Sequence, residues 1–182
     1  MQPQDLGSTV FASLMAAMIA VGAYIHIPVG PVPVVLQNLF VLLAGLLLGS
    51  RWALASVAVY LLVGAAGIPV FSGGRGGLAH FAGPTGGYLA GFALAAWVTG
   101  WIAQGSDDRP ARDILAVTAG SLCIYVLGVP WLKATTAMSW LQSLGVGMAP
   151  FLPGDIAKAA AAVILARSVR PFLRRGGTFR SS

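Results

Sequence analysis

The chain has 182 residues, of which 57% are hydrophobic and only 9% charged, and its mean hydropathy is +0.83. A soluble domain carries about 25% charged residues, so this composition excludes an ordinary soluble globule and indicates an integral membrane protein whose outer surface faces lipid. The formal net charge of +6 invites a nucleic-acid reading, which the placement of the basic residues described below argues against.

Six apolar runs, 8–27, 34–49, 51–67, 84–104, 112–133 and 151–170, are each near the roughly 20 residues that cross a bilayer, the shorter ones allowing for tilt. The expected fold is an all-α integral membrane protein, a single domain over 1–182 built as a bundle of six transmembrane helices whose outer loops cap a ligand pocket. The first run follows Met1-Gln2-Pro3-Gln4-Asp5, with neither a basic patch nor a small-residue cleavage pattern, and reads as a retained helix rather than a signal peptide. Ala12, Ala16 and Ala20 share one of its faces; such small-residue stripes let helices approach closely in lipid, within a chain or between subunits. Residues 26–34 hold three prolines and read as an extended outer loop. Gln37 and Asn38 head the second helix. Residues 67–91 are glycine-rich and carry Arg75 and His80. Irregular backbone at membrane depth persists only where protein or a water-filled cavity satisfies its polar groups, so this stretch reads as a lid over a cavity.

The fourth run places Gly83, Gly87 and Gly91 on one face and carries Tyr88. Residues 104–113 are the most polar internal stretch and form a cytoplasmic turn, with Pro110 at the next helix start. The fifth run holds Cys123, the sole cysteine, which excludes an internal disulfide and reads as a buried small hydrophobe. Residues 134–150 are too polar for a span; they read as an outer loop with an interfacial helical segment anchored by Trp140, next to an interface lysine, Lys133.

Eight of the eleven basic residues, Arg51, Arg109, Arg112, Arg167, Arg170, Arg174, Arg175 and Arg180, fall on one side of a six-span topology. The opposite loops keep only Arg75 beyond the helix-end lysines. The positive-inside rule then puts both termini in the cytoplasm, and the basic tail needs no role beyond anchoring topology, though it can also touch anionic lipid.

Ionisable groups within a membrane cost roughly 2.5–3.5 kcal/mol each at a helix centre and are retained mainly for function. Asp155 and Lys158, three residues apart, share one face of the last helix just after Pro153-Gly154. They read either as a grip for a polar ligand or as an N-cap and ion pair snorkelling to the interface. Arg75 presents a guanidinium fork suited to a carboxylate, or it is solvated or bound to lipid phosphate. Gln37, Asn38 and Tyr88 offer amide and aromatic contacts to a small amphipathic ligand, or helix–helix hydrogen bonds. Both lysines follow apolar residues, Leu132 and Ala157, so there is no Gly-Lys-Ser/Thr phosphate loop. The "GRGGLA" at 74–79 lacks the strand–turn–helix setting of a dinucleotide fingerprint. His26 and His80 are the only histidines and there is no glutamate, which argues against a protein-bound metal.

Three stretches, "GPVPVVLQNLFVLLAGLLLG" (30–49), "GIPVFSGGRGGLAHFAGPTGGYLAGF" (67–92) and "FLPGDIAKA" (151–159), resemble signature segments of the BioY family, the substrate-binding membrane subunit of energy-coupling-factor biotin transporters. The resemblance implies a bacterial or archaeal cytoplasmic-membrane protein that captures biotin outside and is driven by a transmembrane coupling subunit and two ATPases. The chain then needs no cofactor of its own, ATP being bound by those partners. It also implies that Asp155 and Lys158 contact biotin, Asp155 accepting ureido N–H groups and Lys158 meeting the ureido C=O or balancing the carboxylate. Tyr88, Phe71 or Phe81 would then cover the bicycle, Arg75 or His80 would receive the carboxylate, and Ala12, Ala16 and Ala20 would dock on the coupling subunit. Two rivals remain open: a solitary carrier using Asp155 and Lys158 as a proton relay, and a small intramembrane enzyme using His26, His80 or Asp155.

Overall fold

A computed structural model describes residues 3–27, 31–104 and 109–175. Arg180 lies outside the described residues, as do the side chains of Arg174 and Arg175, the centre of the proline loop and residues 105–108 of the polar turn. The elements run α1 (Pro3–Tyr24), β1 (His26–Ile27), β2 (Val34–Val35), α2 (Gln37–Ala65), α3 (Ala79–Ala82), α4 (Gly86–Ala103), α5 (Pro110–Thr136), α6 (Trp140–Gly147) and α7 (Leu152–Arg175).

α2 is not one rod. Twenty-nine helical residues would span about 43 Å if straight, yet both ends of α2 meet the end of α1. Leu36 N donates to Ile25 O at 3.0 Å, and the Tyr24 hydroxyl donates to Pro69 O. The reversal is at Gly49, whose φ of 75° and ψ of 175° lie in a region that only glycine occupies readily. A Cβ there would also sit 2.7 Å from Gln104 Nε2. α2 is therefore a hairpin of two legs, residues 37–48 and 50–65, and the six sequence runs map onto α1, these legs, α4, α5 and α7. By length and apolarity α1, α2, α4 and α5 qualify as spans, and α6 with α7, bent by 48°, makes a fifth. α7 alone falls short because it carries Asp155, Lys158, Arg167 and Arg170. The protein is a multi-pass membrane protein.

Small residues set how closely the helices approach. A Cβ on Gly91 would lie 2.9 Å from Ile124 Cα, and one on Gly87 2.2 Å from Trp131 Cβ, so two members of the predicted glycine stripe form the α4–α5 seam. Gly83 precedes α4 and accepts a hydrogen bond from Trp131 Nε1 at 2.9 Å. The alanine stripe of α1 is largely buried within the chain. Ala12 and Ala16 are only 5% and 6% exposed and belong to the main core cluster, with Ala20 packed at its margin. On the same side, a Cβ on Gly22 would meet Phe40 at 2.8 Å and the Gln37 backbone at 3.0 Å. Small side chains on this face let α1 pack closely on α2. Cys123 is half-buried at the edge of the core rather than fully enclosed.

The two ends of the bundle differ. At one end Asp113, 0% exposed, takes two hydrogen bonds of 2.8 Å from the Arg170 guanidinium, which also donates to Leu46 O at 3.0 Å. Arg167 lies 3.6 Å from the same carboxylate. At the other end the proline loop is zipped by the antiparallel pairs His26↔Val35 and Ile27↔Val34. There Lys133 lies 5.1 Å over the ring of Trp140, which is 56% exposed. α6 begins in a capping box between Ser139 and Gln142, which satisfies two otherwise open backbone donors of this interfacial helix.

Candidate ligand-binding site

At the loop end the bundle encloses a half-open cavity of about 610 Å³, within the range of small-molecule sites. Asp155 stands at its floor, 6% exposed, on the first turn of α7 where its backbone N–H donates to Phe151 O at 2.8 Å. Asp155 Oδ1 accepts from Lys158 Nζ at 2.7 Å and from Asn38 Nδ2 at 3.1 Å. Oδ2 accepts from the Tyr125 hydroxyl. A carboxylate buried in an apolar bundle persists only when paired and hydrogen-bonded, and donors from α2, α5 and α7 supply this together.

Lys158 is not part of the cavity wall. It lies behind Asp155, and its ammonium also donates to Val35 O at 2.8 Å, tying α7 to the strand that follows the proline loop. Both of its partners, Asp155 and Val35, are wall residues. Gln37 and Asn38 both line the wall. Gln37 Nε2 and Asn38 Oδ1 are buried with no hydrogen-bond partner, which leaves polar capacity beside Asp155. Tyr88 contributes its ring to the wall, while its hydroxyl donates to Gly147 O at 2.8 Å and holds the end of α6. Tyr125 is a wall residue that sequence reasoning missed. The available signal was a phenol in the middle of an apolar span, where its O–H needs a partner.

The aromatic cover is also corrected. Phe71 and Phe81 are not in the wall; Phe71 is fully buried beneath the rim, edge-on to Tyr60 at 5.6 Å and to Phe81 at 5.5 Å. Phe92, Phe151 and Ile124 line the cavity with the two tyrosines instead. Phe71 supports the rim by stacking under the His80 ring, centroids 4.9 Å apart. His80 Nε2 lies 3.1 Å from Thr85 Oγ1. Partial burial and then the nearby Arg75 guanidinium push its pKa below the usual histidine value, so the ring is neutral at pH 7. Arg75 is exposed on the rim, at the end of a turn closed by Phe71 N to Arg75 O at 2.8 Å. Gly73 and Gly74, with φ of 77° and 67°, allow that turn. His26 is a rim residue whose Nδ1 lies 3.0 Å from Tyr24 O.

The cavity thus has a hydrogen-bonding floor, apolar walls and a cationic rim. That gradient suits a small molecule with a polar, uncharged head, an apolar middle and an anionic tail.

The BioY family model matches residues 1–175. The chain is 40% identical over 158 residues to the probable biotin transporter BioY of Pyrococcus horikoshii, covering 87% of this chain and 93% of that one. It is 41% identical over 177 residues to the biotin transporter BioY of Rhodobacter capsulatus, covering 90% and 93%. Its structure superposes on the crystal structure of the S-component for biotin from an ECF-type ABC transporter with a TM-score of 0.86, at 30% identity and 94% coverage of both chains. The chain therefore belongs to the BioY family.

Proposed function

We propose that this chain is the biotin-binding subunit of an energy-coupling-factor uptake transporter in a bacterial or archaeal cytoplasmic membrane. The observation that carries the reading is the buried Asp155, hydrogen-bonded by Asn38 and Tyr125 at the floor of a cavity whose rim bears Arg75. Biotin has the matching gradient. Its neutral ureido ring offers N–H groups to Asp155, and a hydrogen bond to a charged group contributes about 1.5–3 kcal/mol. Its bicycle and valeryl chain lie against Tyr88, Phe92 and Phe151, where burial contributes about 25 cal/mol per Å². Its carboxylate meets Arg75, with His80 beside it.

The chain captures biotin from outside and passes it inward, with ATP hydrolysed on two cytoplasmic partner subunits joined through a transmembrane coupling subunit. The absence of a Gly-Lys-Ser/Thr loop supports the assignment of ATP to other chains. The clustering of Arg51, Arg109, Arg112, Arg167 and Arg170 away from the cavity mouth supports a cytoplasmic placement of both termini.

Titration calorimetry of the purified chain in detergent tests the binding. Biotin is expected to bind, Asp155→Asn to weaken it by about tenfold or more, the scale of one lost charged hydrogen bond, and biotin amide to report the rim contact. Unchanged affinity in Asp155→Asn defeats the floor assignment. Uptake into vesicles holding this chain alone, with and without a pH gradient, separates the ATP-driven reading from a solitary carrier.

A further inference from the structure

We propose that the junction of α4 and α5, at the end of the bundle opposite the ligand cavity, holds an anionic phospholipid, with its phosphodiester on Arg112 and an acyl chain against Trp101. The positive-inside placement of the arginines makes the leaflet at this end the cytoplasmic one. The site shares no residue with the ligand cavity, and the inference is independent of the biotin reading.

An open pocket of about 730 Å³ lies at this junction, lined by Trp101, Ile102, Gln104, Ala111, Arg112 and Leu115. One part of it is apolar. Trp101 and Leu115 are 62% and 60% exposed, on helices long and apolar enough to cross a membrane, so both side chains face lipid. Trp101 stacks on Trp97 one helical turn away, with ring centroids 6.2 Å apart and planes 7° from parallel. It stands in the last turn of α4, and tryptophan collects at the level of the lipid headgroups.

The other part is cationic. Arg112 Nε donates to Ile102 O at 2.6 Å, which satisfies one of the open carbonyls at the end of α4 and holds the guanidinium at the pocket wall. Arg109, exposed, caps α5. Ser50 Oγ donates to Gln104 Oε1 at 3.2 Å, which brings the start of the second α2 leg, with exposed Arg51, to the same edge. Among the described residues the pocket wall holds no acid. Asp113, next to Arg112 in the chain, is fully enclosed and bonded to Arg170.

The two halves together select the occupant. A soluble phosphate would engage the arginine and leave Trp101 and Leu115 uncovered, whereas a phospholipid presents a phosphodiester to the guanidinium fork and a hydrocarbon chain to the apolar wall. A zwitterionic headgroup brings its own cation toward the arginines and loses part of that attraction. An anionic one keeps it, as in basic pockets between membrane helices on the cytoplasmic side.

Native mass spectrometry of the full chain, released from detergent micelles that hold phosphatidylglycerol or phosphatidylcholine with the same dioleoyl chains, reads the lipid retained. The wild type is expected to prefer phosphatidylglycerol by about tenfold or more, the scale of one charge-assisted hydrogen bond. Arg112→Gln is expected to cut that preference by about tenfold, while Arg174→Gln, which removes a charge from the C-terminal tail, leaves it within about twofold. Trp101→Ala, at an exposed position, is expected to weaken retention of both lipids and leave their ratio within about twofold. A wild type that retains the two lipids equally overturns the inference, and so does an unchanged preference in Arg112→Gln. An equal loss in Arg174→Gln also overturns it, because the attraction would then be diffuse. Should Arg112→Gln fail to fold, Trp101→Ala still decides, since undiminished retention there removes the site.

Discussion

Single residues in the site depend on partners that lie far away in the chain. Tyr125 donates to Asp155 across 30 residues, and Asn38 does so across 117. Tyr125→Phe removes one hydrogen bond to a charged group, so biotin affinity should fall by about ten- to a hundredfold, equivalent to about 1.5–3 kcal/mol; calorimetry on the folded variant checks it. His80 gives a pH signature. Its folded pKa lies below the ordinary value of 6.5, so on acidification the unfolded chain takes up the proton first. The apo protein should therefore lose stability as pH falls below about 6.5, modestly because the ring is only partly buried. In the proposed pose the biotin carboxylate lies near His80 and favours the protonated ring, so biotin should oppose this loss and its affinity should rise between pH 8 and 6. Thermal melts and titrations across this range, repeated with His80→Asn, should lose both trends. Sequence spacing alone put Asp155 and Lys158 on one helix face. It could not show that Lys158 turns behind Asp155, because Val35, the carbonyl that draws it there, belongs to a distant segment.

Among the elements, the α2 hairpin depends most sharply on one position. Gly49→Ala would place a side chain at a φ of 75° and a ψ of 175°, at a cost of about 1–3 kcal/mol, before its contact with Gln104 is counted. The melting temperature in detergent should fall, while biotin affinity at the far end of the bundle should stay within about twofold. The reversal itself is legible in the sequence, because residues 34–67 are apolar for far longer than one bilayer crossing and Gly49-Ser50 is the natural break. The alanine stripe was less legible. Periodicity shows that Ala12, Ala16 and Ala20 share a face, but only packing shows that α2 covers it.

The whole molecule has a ligand cavity at one end and a buried clamp at the other. Asp113 closes the polar 104–113 stretch that the sequence marks as a turn, yet it is fully enclosed and joined by Arg170 to α7 and to the α2 carbonyl of Leu46. Removing one member of a buried ion pair strands the other, typically at about 3–5 kcal/mol. Asp113→Ala should therefore lower the melting temperature strongly, and the fraction that remains folded should bind biotin with affinity within about twofold of wild type. A matching loss of affinity would mean that the clamp also shapes the cavity.

By itself the sequence determined the membrane setting, the six apolar legs, the glycine lid and the pairing of Asp155 with Lys158 on one helix face. Each of these follows from local composition or from helical period, which act over a few turns of chain. Only the tertiary structure decided that Tyr125 and Asn38 complete the floor, that Lys158 stands behind it, that Phe71 supports the rim rather than the wall, and that Asp113 is a clamp. Apart from the stacking of Phe71 on His80, these are contacts between residues 30 to 124 positions apart, and which side chains meet across such distances is set by how whole helices pack.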